Sequence, residues 1–202
     1  MVKTLRNLPM SNAAATLATA FDGERRLASG PLIDVAMALK AAAAAGAGGP
    51  LLAFDDATGA VIDLDLRGAR AEIAARLAVA GETPTPPRGR GRGRPNLGVV
   101  AREVTLLPRH WDWLAAQPGG ASAALRRLVE EARRSSGGKD RERMAQEAAY
   151  RFMAAMAGDL PGFEEATRAL FAKDRARFER HVAQWPDEGG AYAAKLAAPA
   201  FA

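Results

Sequence analysis

From Gly81 to Gly98 the chain carries a stretch that no core can absorb. Pro84, Pro86 and Pro87 are followed by Arg88-Gly89-Arg90-Gly91-Arg92-Gly93-Arg94-Pro95. Proline lacks an amide hydrogen, glycine loses the most backbone entropy on ordering, and closely spaced guanidinium groups resist desolvation together. The stretch therefore predicts an extended, mobile linker. It divides the chain into a small α/β module at 1–80, a basic linker at 81–99, a segment at 100–136 and a helical region at 137–202.

Charge sharpens that division. The chain carries 28 Lys and Arg against 23 Asp and Glu, a formal net charge of +5. Residues 1–80 hold eight of each sign and residues 138–202 ten of each. Residues 81–137 hold ten positive charges, all arginine, and five negative, so the entire excess lies there. A local surplus of arginine between balanced flanks is the electrostatic footprint expected for a polyanion. An ordinary solvated linker is the competing reading.

The N-terminal part reads as two passes of one pattern. Thr16–Phe21 predicts a strand, Asp22-Gly23 a hairpin turn and Arg25–Ala28 a return strand. Pro31 then opens a helix to about Ala45, with Ile33, Ala36 and Leu39 on one face and Gly46 as its stop. In the second pass Leu51–Phe54 is a strand and Asp55–Gly59 a turn. Ala60–Leu66 is a return strand with Ile62, Leu64 and Leu66 on one face, and Ala69 to about Ala80 is a helix with Ile73, Leu77 and Ala80 inward. Ala-Phe-Asp stands at both first turns, at 20–22 and at 53–55. The expectation is a ββα–ββα module. Asp55, Asp56, Asp63 and Asp65 read as solvated strand-edge carboxylates rather than as a metal site.

Residues 102–134 have the most specific order. Arg102–Leu107 has β-favouring residues at its centre, and Pro108 suits the first turn of a helix over Arg109–Ala116, with Trp111 and Leu114 at i and i+3. Trp111 and Trp113 lie on different faces, and core or interface packing is expected for both, while His110 reads as a solvated first-turn residue. Gln117–Gly120 breaks the helix, and Ser122 is the expected N-cap of a second one reaching about Arg134. Leu125, Leu128, Val129 and Ala132 form its core stripe.

Farther on, Asp140–Ala157 predicts a helix with Met144, Ala148, Phe152, Ala155 and Met156 inward, ended by Gly158. Phe163, Ala166, Leu170, Phe178, Val182 and Trp185 continue the core of a small bundle. Adjacent Glu164 and Glu165 point to different faces, which argues against a paired-carboxylate site. The fold class is therefore α+β.

Several function classes drop out. There are no cysteines and only two histidines, which removes disulfide, thiolate and histidine-rich metal chemistry. No nucleophile–base pair or phosphate-binding glycine loop is present, so no catalytic residue, metal or cofactor is assigned and an enzyme is not expected. No long apolar run marks a membrane span, and Met1–Arg6 lacks the apolar stretch of a secretory signal, so a cytoplasmic location is expected. Of the apolar residues 48 are alanine, which favours helix more than core volume.

Three resemblances attach to these residues. Arg92-Gly93-Arg94-Pro95 resembles the core of an AT-hook, in which a thin Arg-Gly-Arg backbone enters a narrow A·T minor groove. The order of strand, proline-led helix, glycine turn and serine-led helix over 102–134 resembles a ribbon-helix-helix domain, the fold of the Arc and MetJ repressors. That resemblance implies an obligate homodimer whose paired strands enter the DNA major groove. The amides near Gly120, Ala121 and Ser122 would then grip a phosphate. Two strand registers stay open, one turning Arg102, Val104 and Leu106 outward and the other turning Val104 and Leu106 inward. Over nearly its whole length, through Arg92–Leu97, Gly98–Arg109, His110–Leu114 and Tyr150–Phe171, the chain also resembles the bacterial domain of unknown function 2239, which implies no activity.

The expected function is a dimeric regulator or nucleoid-associated protein on duplex DNA. Its expected nucleic-acid contacts are Arg88, Arg90, Arg92, Arg94, Arg102, Gly120, Ser122 and Arg126, with the N- and C-terminal modules left for a protein partner. The alternative is a scaffold whose arginine linker binds RNA or acidic partners without specificity.

Overall fold

The computed structural model of the chain describes residues 16–81 and 102–202. The architecture is α+β, with one three-stranded antiparallel sheet and seven α-helices among the described residues. Strands β1 (Leu17–Asp22) and β2 (Arg25–Pro31) form a hairpin closed by Gly23-Glu24, with Gly23 at φ 55°. Helix α1 (Leu32–Ala45) follows and ends on Gly46, whose left-handed φ of 80° costs glycine nothing. Strand β3 (Leu51–Asp55) then pairs antiparallel with β1, giving the order β2-β1-β3. After α2 (Arg70–Gly81), the description resumes with α3 (Pro108–Ala115) and α4 (Gly120–Met156). Helices α5 (Phe163–Phe171), α6 (Arg175–Val182) and α7 (Asp187–Ala197) complete the chain with a 3-10 turn, Ala198–Phe201.

The chain falls into two compact units. Among the described residues, one joins 16–81 to 141–202, and the other holds 102–140. The centre of the first is β1, whose residues 18–21 are all buried because both faces of the sheet are covered. Alternation along the strand sends Ala18 and Ala20 to one side, with Leu32, Val35 and Leu39 of α1. Phe21 goes to the other side, where Phe54 of β3 joins Phe152, Tyr192 and the remaining C-terminal apolar residues. Phe152 stacks on all three other rings, at 5.6 Å from Phe21, 4.9 Å from Phe54 and 4.7 Å from Tyr192. The N-terminal strands and the C-terminal helices thus share one core, across the arginine tract that separates them in sequence.

The second ββα pass is not completed. Beyond a single bridge between Phe54 and Val61, residues 60–66 form no strand. Alternation survives without the ladder, since Ile62, Leu64 and Leu66 are half-buried against the α1 side while Asp63 and Asp65 are exposed. The amides of Ala57 and Thr58 both bond the Asp55 carboxylate, and this turn leads the chain off the sheet edge. The two Ala-Phe-Asp copies meet directly, as Ala20 and Ala53 are cross-strand partners.

Three stripes shift. In α1 the buried set is Leu32, Val35, Ala36 and Leu39, with Ile33 only half-buried. In the C-terminal half of α4 it is Ala145, Ala148, Ala149, Phe152 and Met153, whereas Met144 and Ala155 are exposed. In the N-terminal half, Leu128 and Val129 are 39% and 56% exposed, so the expected core stripe is not buried within the chain. Nor is either tryptophan, at 40% for Trp111 and 51% for Trp113. The buried apolar residues of 102–140 are Leu114 and Ala124, too few to cover the others.

The helix expected to stop near Arg134 and the one expected from Asp140 are a single element, α4, 37 residues long. Gly137 and Gly138 each cost about 1 kcal/mol in a helix. Surface pairs such as Arg143–Glu147 return only about 0.2–0.5 kcal/mol each, so the larger support is the tertiary packing of the C-terminal half of α4, where Ala145, Ala149, Phe152 and Met153 are buried. Residues 102–107 form no strand. A ladder needs a partner, and no segment of the same chain supplies one among the described residues.

Candidate functional site

The expected contact residues divide into two groups. Arg88, Arg90, Arg92 and Arg94, with the AT-hook-like tract, lie outside the described residues. Arg102, Gly120, Ser122 and Arg126 lie in the unit at 102–140. Pro108 is the first residue of α3, with the extended Leu107 before it, as its missing amide hydrogen requires. Gly119 and Gly120, at φ 82° and 73°, reverse the chain into α4. The Gly120 amide is already used, donating to the Gln117 carbonyl over 2.9 Å, and so is not a free phosphate donor. Ser122 is not an N-cap either, because α4 has already begun at Gly120.

Arg126 and Arg133, and likewise Arg127 and Arg134, are seven residues apart on α4 and share faces two turns on. All four are exposed; Arg126 and Arg133, three residues before and four after Val129, border its face, while Arg127 and Arg134 lie farther round the helix. Glu130 lies among them and takes Arg133 as an ion pair at 3.4 Å. Arg102, Arg109, Arg126 and Arg127 have no ion pair among the described residues. The other unit differs. There Arg25, Arg26, Arg67, Arg70, Arg151, Arg168 and Arg175 each meet a carboxylate.

Sequence reasoning missed the polar centre of that unit. Asp56 was read as a solvated edge carboxylate, yet its side chain is only 13% exposed. Its Oδ1 accepts hydrogen bonds from Thr19 Oγ1 and Tyr192 Oη, each at 2.8 Å, and its Oδ2 accepts from Lys195 Nζ at 2.6 Å. Thr19 also meets Ser29 Oγ at 2.8 Å. Thr19 is on β1, Asp56 follows β3, and Tyr192 and Lys195 are i and i+3 on α7, so one helix face presents both. Burial pushes the Asp56 carboxyl up, but the hydrogen bonds from Lys195, Tyr192 and Thr19 outweigh it and hold the group below its ordinary value. Burial and the Asp56 charge raise the Tyr192 phenol far above the usual tyrosine range. The only trace in sequence is Tyr-x-x-Lys in a C-terminal helix, which carries no meaning until Asp56 is beside it.

The network borders an open groove of about 280 Å³, floored by Met144, Ala145, Ala148, Leu196 and Pro199 and flanked by Ala57, Asp56, Lys195 and Arg141. Asp56 meets three donors from β1 and α7 with its two oxygens. It ties sheet to helix. Among the described residues no group of three or more His, Cys, Asp or Glu side chains has the geometry to hold a metal ion. No helix among them is long and apolar enough to cross a membrane.

A family model described as "Uncharacterized protein conserved in bacteria (DUF2239)" matches residues 17–197. The chain belongs to this family. The match begins at the first residue of β1 and ends at the last of α7, so the family spans the sheet, α4 and the Asp56 network together. No curated protein and no solved structure matches the chain.

Proposed function

We propose that this member of the family is a dimeric duplex-DNA-binding protein, a regulator or nucleoid-associated factor, that acts through residues 86–140. No catalytic step belongs to this reading. The observation that carries it is the contrast in arginine pairing. Arginines of the other unit are mostly neutralised by nearby carboxylates, whereas Arg102, Arg109, Arg126 and Arg127 are exposed and unpaired among the described residues. An unpaired surface guanidinium is the group that exchanges counterions for phosphates. The tract Arg88–Arg94 adds four more positive charges directly upstream.

Dimerisation is supported by the unspent apolar side chains of the same segment. Val104, Leu107, Trp111, Trp113, Leu128 and Val129 are all at least 39% exposed. A second copy would supply both the missing cover and a ladder partner for Arg102–Leu107. The finer assignment is a paired ribbon in the major groove with Arg-Gly-Arg in the minor groove.

Fluorescence anisotropy with AT-rich duplex, GC-rich duplex and single-stranded probes tests the reading, titrated across salt. The expected result is duplex preference with a log–log salt slope of roughly −4 or steeper, made shallower by about 2 in Arg92→Ala/Arg94→Ala. No binding near physiological salt overturns it. Equal binding to all three probes replaces it with the non-specific scaffold.

A further inference from the structure

The groove beside Asp56 has a composition that the DNA-binding reading does not use. Its floor is apolar, and Met144 leaves half of its surface, 50%, open to solvent there. One wall is the Lys195 ammonium, 55% exposed. An ammonium has three N–H donors, and Lys195 gives one to Asp56 Oδ2 while lying 5.3 Å from the centre of the Tyr192 ring. Among the described residues no second acceptor takes a hydrogen bond from Lys195, and its side chain lines the groove. Asp56 cannot repel an anion strongly, because its charge is met by Lys195 and by two hydroxyl donors. Nor does it suit a metal ion, which would have to displace Lys195.

We propose that this groove is a binding site for a small amphipathic carboxylate. The carboxylate accepts hydrogen bonds from Lys195, and the hydrocarbon body covers Met144, Ala145, Leu196 and Pro199. About 280 Å³ is at the lower end of small-molecule sites, which fits a short aliphatic or single-ring acid. An apolar floor beside one charged group is the usual division of labour in such sites, area for affinity and charge for orientation.

The test uses the full chain with 13C-methyl methionine, titrated with sodium octanoate and, separately, with 1-octanol. Six methionines give six reporters, of which Met144 lies in the groove. The expected result is a saturable shift of the Met144 methyl with octanoate at submillimolar Kd, and at least fivefold weaker binding of octanol. Ala57→Trp, which fills the groove from an exposed position, should abolish the shift. Lys195→Met, which keeps the stem and removes the charge, should weaken octanoate at least fivefold. No Met144 shift overturns the proposal, as does equal affinity for octanol or unchanged octanoate affinity in Ala57→Trp. If Lys195→Met fails to give a folded spectrum, Ala57→Trp and the octanol comparison decide the matter without it.

Discussion

The Tyr192 hydroxyl donates to Oδ1 of Asp56 over 2.8 Å, joining positions 136 residues apart in sequence. Through that bond and the adjacent Lys195 pair, α7 is fastened to the end of β3. Asp56→Ala removes the acceptor and leaves a buried phenol without a partner. The expected loss is about 2–4 kcal/mol in urea unfolding, with Asp56→Asn, which keeps one carbonyl acceptor, losing less.

The same carboxyl makes stability depend on pH. Its folded value lies below the ordinary 3.8, so the unfolded chain binds its proton first as pH falls. The contribution is fully present above about 3.8 and is lost as pH falls through the lower folded value. The stability difference between the native chain and Asp56→Asn should therefore be constant near neutrality and shrink below about pH 4. A difference that grows with acid contradicts the arrangement.

Tyr192 gives the alkaline counterpart. Its phenol stays protonated in the folded chain well above pH 10, where the unfolded chain has lost that proton. Stability should fall as pH rises past about 10, and Tyr192→Phe should remove that dependence. Absorbance at 295 nm near pH 10 should be the same in the native chain and in Tyr192→Phe while both remain folded.

Gly59 and Gly46 separate two reasons for glycine. Both have positive φ, 63° and 80°. A Cβ at Gly46 meets nothing within 4 Å, whereas one at Gly59 would collide with the backbone carbonyl of Ala148 on α4. Gly46→Ala should cost about 1 kcal/mol from backbone strain alone. Gly59→Ala should cost clearly more, as a drop in Tm several degrees larger, because backbone cannot rotate out of the way.

Phe152 and Phe171 contrast in the same manner. Phe152 is 1% exposed and stacked on three rings, while Phe171 is 52% exposed and touches the Tyr150 ring at 5.9 Å. Phe152→Ala should cost about 3–5 kcal/mol. Phe171→Ala should stay below about 1 kcal/mol, and denaturant midpoints measure both.

Val129→Glu tests the dimer. Within one chain the site is 56% exposed, so the monomer's unfolding free energy should change by no more than about 0.5 kcal/mol. Sedimentation should nevertheless show dimers of the native chain dissociating in the variant. A native chain that sediments as a monomer at all concentrations removes the dimer from the proposed function.

Local features were legible where short-range rules suffice. Asp22-Gly23 marked the hairpin, Gly46 the end of α1, Pro108 the start of α3, and Phe152, Phe178 and Trp185 the core. Where propensity competes with context, the outcome went the other way. Gly137-Gly138 resembles a helix stop but is carried through α4, and Ala60–Leu66 alternates as a strand with only a single bridge at Val61. Leu128 and Val129 have core spacing but stay 39% and 56% exposed among the described residues. Periodicity reports which face of an element is apolar and is silent on what covers it.

The sequence by itself determined the α+β class, the arginine surplus confined to the middle of the chain and the absence of cysteine chemistry. These are properties of composition and near neighbours, and they need no knowledge of long-range contacts. Only the tertiary structure decided that residues before and after the arginine tract share one core, that β1 is buried on both faces, and that Asp56 is a half-buried anchor. Those facts depend on contacts far apart in sequence, such as Thr19 and Tyr192 meeting Asp56 from 37 and 136 residues away. Hydrogen-bond geometry of that kind is a property of the packed chain, and no spacing along the sequence encodes it.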